Sequence, residues 1–277
     1  MLIFPLITLT RLLNSIRNAT LTEFTHNSDN YYTTDGADIY FETLGNPYGK
    51  PLVLIHGGLG YITDLNCLLE AIPNSYRIIG IDLRGHGKST QGTTPLSYEQ
   101  YQKDIEAILK HLAIDTFSLL GFSDGGIVSY RLAALFNKKV EKLITIGSQW
   151  RLEDNDPSIE FLAHVTPNDW RDIFPDSVAY YNKVNPQPDF DRLVNEIKTV
   201  WMDTTRSGYP SRDIRNIKCP TLIMRGDNDF LFSLQEAVEL VDQIDNTTFM
   251  NIAFAEHEAH KECPQICCSV IQRFLAE

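Results

Sequence analysis

Short, nearly continuous apolar runs recur along the chain, and they constrain its fold more than any other feature. The run "PLVLIHGG" at 51–58 is apolar at most positions and is closed by glycines. A run of this kind is typical of a strand that is buried on both faces, as in a parallel sheet covered by helices. Comparable runs lie at 76–87, 116–126, 140–148, 219–229 and 247–254.

Segments with helical periodicity separate these runs. The segment 97–112 carries apolar residues at helical spacing behind Ser97, a suitable N-cap. Ser233 followed by Glu236 predicts a capping box at the start of a helix over 233–244. Buried strands that alternate with helices predict an α/β fold with a mostly parallel, doubly wound sheet. Further helices are predicted at 124–136 and 264–276.

The first residues, "MLIFPLITLTRLLNSIRNAT", are the one candidate for a targeting segment. The start is uncharged, and Pro5 and Arg11 interrupt the apolar run. The run is also too short for a transmembrane helix of about 20 apolar residues. We expect a helix that packs on the protein or lies on its surface, with an exported or membrane-associated form as the alternative.

Charge and cysteine content limit the expected partners and compartment. The formal net charge is -12 and no cluster of Lys and Arg stands out, so nucleic acid is not an expected partner. The spacing of the 5 cysteines matches no zinc site, which favours reduced thiols in a cytoplasmic protein. We expect no metal, no organic cofactor and no membrane partner.

The stretch "LLGFSDGGIVSY" at 119–130 places a serine between an apolar run and a helix-like run. Ser123 therefore falls on a sharp strand-to-helix turn, where flanking glycines relieve crowding. The N-terminus of the following helix offers N–H groups to a nearby anion. The pattern predicts a reactive serine, with an ordinary glycine-rich turn as the alternative.

Partners for such a serine lie at later strand ends. A serine hydroxyl needs a base, and the base needs an acid that orients it. The segment 225–230 supplies Asp227 and Asp229, and the segment 257–260 supplies two histidines. The order of serine, aspartate and histidine is that of the α/β-hydrolase fold.

The chain from about residue 31 onward resembles the α/β-hydrolase superfamily, because several motifs of that family occur in order. The resemblance implies a sheet of the α/β-hydrolase type with a helical lid insertion. The motif "GFSDGG" is also similar to the valacyclovir-hydrolase (biphenyl-hydrolase-like) group of serine esterases. The motifs are "HGG" at 56–58, "DLRGHGKS" at 82–89, "GFSDGG" at 121–126, "RGDNDF" at 225–230 and "HEAH" at 257–260.

The resemblance also implies roles for individual residues. Ser123 matches the nucleophile. Asp229 matches the acid because it lies three residues after Gly226, and Asp227 remains the rival. His257 matches the base, as the first histidine of the family's H-x-x-H.

The base has a rival as well. Glu256 stands where the family usually has glycine before the histidine. This departure leaves His260 as an alternative base, although its position nearer the terminal helix favours a role in bracing the loop.

Two backbone donors are expected to hold the oxyanion, namely the N–H groups of Asp124 and Gly58. The side chain of Asp124 opposes them, because a carboxylate ~6 Å from the oxyanion at an effective dielectric of ~20 costs about 2.8 kcal/mol. One interpretation is that this side chain turns away or is screened. The other is that Asp124 contributes to substrate binding by pairing a cation, such as the ammonium of an aminoacyl ester.

These residues predict a serine hydrolase that cleaves small carboxylic esters through an acyl-enzyme. The expected partner is a small-molecule ester. Carbon–carbon bond hydrolysis or lactone hydrolysis on the same residues is one alternative, and a non-catalytic ligand-binding protein of this fold is another.

A segment from 150 to 217 has no strand-like run and is rich in aromatic residues. We expect a helical insertion that forms a lid at the mouth of the sheet, with Trp150 and Trp170 in substrate binding. The predicted organisation is an N-terminal extension of unknown role at 1–30, a core at 31–149 and 218–277, and a helical lid at 150–217.

Overall fold

The computed structural model describes residues 23–277, which contain one eight-stranded sheet in the order β1-β2-β4-β3-β5-β6-β7-β8. β1 pairs antiparallel with β2 and β2 antiparallel with β4, whereas the other neighbours are parallel. The predicted mostly parallel sheet is therefore confirmed. The strands are β1 (Tyr31–Thr34), β2 (Ala37–Gly45), β3 (Lys50–Ile55), β4 (Tyr76–Ile81), β5 (Phe117–Phe122), β6 (Val140–Ile146), β7 (Thr221–Gly226) and β8 (Thr247–Ile252).

Both faces of the sheet are buried, which explains why the strands read as continuous apolar runs. In β3, Val53 and Ile55 belong to one apolar core, whereas Leu52 and Leu54 belong to another on the opposite face. The covering helices are α1 (Tyr98–His111), α2 (Asp124–Leu135), α3 (Ile159–His164), α4 (Pro167–Ile173), α5 (Pro175–Val184), α6 (Phe190–Trp201), α7 (Leu234–Val241), α8 (Ala259–Glu262) and α9 (Pro264–Ala276), with 3-10 helices at Ile62–Ala71 and Ser211–Asn216.

Serine caps begin two of the helices. Ser97 Oγ accepts a hydrogen bond from Gln100 N at the start of α1, and Ser233 Oγ accepts one from Glu236 N at the start of α7. The second half of the predicted capping box is wrong, because the buried carboxylate of Glu236 instead accepts the N–H of Trp150. The side chain is recruited by a neighbouring segment rather than by its own helix.

The connection from β6 to β7 contains α3 to α6 and, within residues 150–217, no strand. It leaves the sheet at the edge where β5 and β6 end side by side, since Phe122 pairs with Ile146. Helix α6 buries Leu193, Ile197 and Trp201 against the core below. These helices therefore stand over the carboxyl ends of the parallel strands, where sheets of this type bind ligands.

Residues 23–30 pack on the core, although they fall inside the predicted extension. Phe24 is buried against Gly80, and the imidazole Nε2 of His26 lies 2.9 Å from Asp82 Oδ2. The helix predicted for the first 20 residues lies outside the described part of the chain. In the described part, no helix has the length and apolarity needed to cross a membrane.

Candidate active site

Ser123 lies on a strained turn between β5, which ends at Phe122, and α2, which begins at Asp124. Its φ of +50° is rare for a residue with a side chain and costs of the order of 1–3 kcal/mol. The flanking glycines allow the turn, because a Cβ on Gly121 would lie 2.3 Å from the carbonyl oxygen of Gly125. The backbone therefore turns sharply at Ser123, which places the serine side chain at the end of β5.

Ser123, His257 and Asp229 form a continuous chain of hydrogen bonds. Ser123 Oγ lies 3.0 Å from His257 Nε2, and His257 Nδ1 lies 3.0 Å from each carboxylate oxygen of Asp229. The backbone N–H groups of Leu231 and Phe232 donate to Asp229 Oδ1 at 2.9 and 3.1 Å. The acid is thus fixed by its own loop and orients the imidazole toward the serine.

The two rival residues point elsewhere. The carboxylate of Asp227 accepts a hydrogen bond from Asn251 Nδ2 at 2.6 Å. His260 is buried beside the ring of Phe122, with 4.3 Å between ring centroids, and its ring nitrogens have no hydrogen-bond partner within residues 23–277. The structure brings Asp229 and His257 to Ser123, and does not bring Asp227 or His260 there.

The acid and the base shift each other's proton affinity. Burial alone would raise the pKa of Asp229, but His257 and the backbone N–H groups hold it below the usual value. Burial alone would lower the pKa of His257, but the carboxylate of Asp229 raises it above the usual value. Asp229 is therefore ionised, and His257 becomes protonated as the pH falls through its raised pKa.

Two backbone N–H groups in the cavity of Ser123, those of Gly58 and Asp124, have no protein acceptor in the described part of the chain. Gly58 and Asp124 both line the cavity that contains Ser123. Within residues 23–277, neither of their N–H groups donates to another protein group. Asp124 is the first residue of α2, so its N–H has no partner inside the helix.

The side chain of Asp124 is buried and held by two aromatic residues. Trp201 Nε1 lies 3.0 and 2.9 Å from its two oxygens, and Tyr98 OH donates to Oδ1 at 3.0 Å. Burial raises the pKa of Asp124 to about 6, although both donors oppose that shift. Oδ2 faces Gly58, since a Cβ on that glycine would lie 2.5 Å from it. The carboxylate thus stays close to the free N–H groups.

The cavity has a volume of about 390 Å³ and is lined by Ser123, Asp124 and His257. Trp170 lines this cavity, and its role in substrate binding stays a prediction. Trp150 does not line it, because its backbone N–H and its indole Nε1 donate to Glu236 on α7 and hold it there. The described residues contain no group of three or more metal-ligating side chains.

Sequence reasoning missed the two residues that hold Asp124. Trp201 was visible only as one aromatic residue among several in the segment 150–217, and Tyr98 only as part of the first turn of α1. A tryptophan and a tyrosine that are both fully or nearly buried need partners for their polar atoms. The buried carboxylate beside Ser123 meets that need.

Comparisons with known proteins identify the family of the chain. Residues 50–192 match the family model described as the alpha/beta hydrolase fold. The AB hydrolase superfamily protein YisY of Bacillus subtilis is 26% identical over 87% of this chain and 97% of its own length.

Solved structures share the fold at low sequence identity. The enol-lactonase of Burkholderia xenovorans LB400 has a TM-score of 0.71 and 19% identity, covering 90% of this chain and 100% of its own. A meta-cleavage product hydrolase of Pseudomonas fluorescens has a TM-score of 0.73 and 20% identity, covering 87% of this chain and 94% of its own. Since the family model spans more than half of the 277 residues, the chain belongs to the α/β-hydrolase fold family and is a hydrolase.

Proposed function

We propose that the protein is a serine hydrolase that cleaves small carboxylic esters through an acyl-enzyme. The observation that carries the proposal is the chain of hydrogen bonds from Ser123 through His257 to Asp229, inside a cavity. In this proposal Ser123 is the nucleophile, His257 the general base and Asp229 the acid that orients it.

Acylation follows from these positions. Ser123 Oγ attacks the ester carbonyl carbon while His257 Nε2 takes its proton, and Asp229 stabilises the resulting imidazolium. The carbonyl oxygen becomes an oxyanion, which accepts hydrogen bonds from the N–H groups of Gly58 and Asp124. Loss of one such donor typically costs about 2.7–4 kcal/mol of transition-state stabilisation. The tetrahedral intermediate then expels the alcohol, which leaves with the proton from His257.

Deacylation repeats these steps with water. His257 takes a proton from a water molecule that attacks the acyl carbon, and the same N–H groups bind the second oxyanion. The bond to Ser123 Oγ breaks, the serine regains a proton from His257, and the carboxylic acid departs. No further group is needed to balance protons or electrons.

The leaving group favours an ester over a carbon–carbon bond as the substrate. Cleavage of a diketone expels a carbanion or enolate, whereas an ester expels an alcohol that His257 protonates. The carboxylate of Asp124, whose Oδ2 faces Gly58, opposes the oxyanion of either reaction and does not distinguish them. A lactone is itself an ester, and it is the second candidate substrate.

A panel of substrates tests this proposal. We expect p-nitrophenyl butyrate to be hydrolysed with a kcat/KM at least tenfold, or about 1.4 kcal/mol, above that for γ-butyrolactone or a vinylogous 1,5-diketone. Product release is followed by absorbance for the nitrophenyl ester and the diketone, and by acid release for the lactone. A higher kcat/KM for the diketone would contradict ester hydrolysis as the main activity.

We also propose that Asp124 selects esters that carry an ammonium group, as the similarity of "GFSDGG" to the valacyclovir-hydrolase group implies. Asp124 Oδ2 faces Gly58 and receives one hydrogen bond, from Trp201, so it retains capacity for another donor. A substrate cation would also remove the repulsion between this carboxylate and the oxyanion.

The selectivity is expected to depend on the charge of Asp124. The p-nitrophenyl ester of valine should react about tenfold faster than that of 3-methylbutanoic acid, and Asp124→Asn should abolish this ratio. Because the pKa of Asp124 is raised to about 6, the carboxylate is ionised above that pH and the preference is lost below it. The ratio of the two rates is independent of the titration of His257, because both esters need the neutral imidazole to the same extent.

Asp172→Asn is the matched control, since Asp172 is an exposed carboxylate on α4 that does not line the cavity. It should leave the ratio unchanged. Equal rates for the two esters in the wild-type protein at pH 7 would overturn the role of Asp124 in selection, without affecting ester hydrolysis itself.

Residues 150–217 are proposed to act as a lid. Trp170 on α4 and Trp201 on α6 both line the cavity, and Trp201 also donates to the carboxylate of Asp124. A movement of these helices would therefore change both the access to Ser123 and the contacts of Asp124.

A further inference from the structure

Lys261 links the two loops that carry the reactive groups. Its ammonium Nζ lies 3.2 Å from Asp64 Oδ1 and 2.6 Å from Glu258 Oε1. Asp64 belongs to the 3-10 helix that follows the loop of Gly58, and Glu258 directly follows His257. A single side chain thus connects the loop of the oxyanion donor with the loop of the base.

Asp64 also contacts the turn that contains Gly58, so Lys261 is connected to that turn through Asp64. Its Oδ2 accepts the N–H of Tyr61 at 3.1 Å and so caps the 3-10 helix. The turn before it is closed by a hydrogen bond from Gly60 N to Gly57 O at 3.1 Å. A Cβ on Gly60 would lie 2.7 Å from Asp64 Oδ2, so the carboxylate packs directly against this turn. Moving Asp64 would therefore move the turn that contains Gly58.

Lys261 is also held close to the loop of His257. Lys261 N donates to Glu258 O at 2.7 Å in the first turn of α8, which fixes Lys261 relative to the loop of His257. Burial would lower the pKa of Lys261, but Asp64 and Glu258 raise it, so the side chain stays charged. Among residues 23–277, Lys261 is the one lysine or arginine that lines the cavity.

We propose that Lys261 is a positioning residue, which holds His257 and the N–H of Gly58 in register for the same carbonyl group and offsets the negative charge around the base. The inference rests on the proposed serine-hydrolase function. It assigns Lys261 no direct contact with the reacting atoms.

The charges around His257 set the sign of the expected effect. Asp229 contacts the ring from the loop after β7, Asp124 faces it from α2, and Glu258 adjoins it in its own loop. His260 and Lys261 approach from α8. Without Lys261, the carboxylates of Glu258 and Asp64 would be uncompensated and would stabilise the protonated imidazole. Reactivity, which needs neutral His257, would then require a higher pH.

Folding stability should respond much less than reactivity. Lys261 and Glu258 are about one-third exposed, and exposed ion pairs contribute little to stability. A role confined to stability would therefore leave the reaction of the folded protein unchanged. The pH dependence of that reaction distinguishes the two roles.

The test measures the rate at which a fluorophosphonate labels Ser123, from pH 5 to 9, below the unfolding temperature of each variant. Lys261→Met should lower the plateau rate about tenfold through misplacement of the two loops. It should also raise the pH midpoint by about half a unit, as expected for the loss of one nearby charge. Lys261→Arg keeps the charge and the reach, and should stay within about twofold of the wild type.

Lys142→Met is the control for loss of a structural lysine, since Lys142 Nζ donates to the carbonyl groups of Phe274 and Leu275 and does not line the cavity. It should change neither the plateau nor the midpoint. A Lys261→Met protein with the plateau and midpoint of the wild type would overturn the proposal alone. Absence of labelling in the wild type would overturn the serine-hydrolase function and this inference together.

Discussion

Replacing His257 with alanine is expected to lower kcat for p-nitrophenyl butyrate by about a millionfold, with little change in the unfolding temperature. The loss is large because a serine hydroxyl without a base is a weak nucleophile. His257 is the residue whose Nε2 lies 3.0 Å from Ser123 Oγ, so no other described side chain takes its proton. Steady-state kinetics against the uncatalysed rate measure the loss.

The matched control for this substitution is His260→Leu. Leucine fills a similar volume, and no protein hydrogen bond is lost, because the ring nitrogens of His260 have no partner in the described chain. Burial also lowers the pKa of His260 to about 3, so no charge is removed at neutral pH. We expect activity within about threefold of the wild type. A larger loss for His260→Leu than for His257→Ala would assign the base to His260.

The sequence was sufficient to predict that the reactive residues meet, because parallel strands end at one edge of a sheet. Ser123 follows β5, Asp229 follows β7 and His257 follows β8, so their order and spacing implied proximity. The choice between Asp227 and Asp229 is different, since both lie on one short turn. The family resemblance favoured Asp229 from its place three residues after Gly226, but the physical reason, the N–H groups of Leu231 and Phe232 that hold its carboxylate, is visible only in the structure.

Trp150 and Trp201 illustrate a second limit of prediction from the sequence. Trp150 and Trp201 both fall in the aromatic segment 150–217, and composition treats them alike. Their hydrogen bonds separate them: the indole N–H of Trp150 donates to the backbone carbonyl of Glu236, whereas the indole N–H of Trp201 donates to the carboxylate of Asp124. Such pairings arise from packing between distant segments, and local periodicity carries no information about them.

The conflict at Asp124 is also clearer in the structure than in the sequence. The carboxylate is buried and accepts hydrogen bonds from Tyr98 and Trp201, so a screened side chain and a side chain that pairs with a substrate cation both stay predictions. Neutral donors from Tyr98 and Trp201 reduce the cost of its charge without removing it. Pairing of this carboxylate with a substrate cation stays a prediction, which the ratio of the two nitrophenyl esters tests.

Ser123→Ala is expected to abolish turnover, with a loss of about a millionfold. The strained turn should survive, since alanine keeps the Cβ and loses only the hydroxyl, and the backbone N–H of Ser123 still donates to Ile146 O at 2.9 Å. The variant therefore isolates the role of the Oγ atom. A non-catalytic ligand-binding protein of this fold would show no covalent reactivity at Ser123, so the substitution would change nothing in its reaction with a covalent probe.

Intact mass after treatment with a fluorophosphonate tests the reactive serine most directly. The wild-type protein should gain the mass of one covalent adduct, and Ser123→Ala should gain none under the same conditions. His260→Leu should be labelled like the wild type. A folded wild-type protein without an adduct, or an equal adduct on Ser123→Ala, would contradict the assignment of Ser123 as the nucleophile.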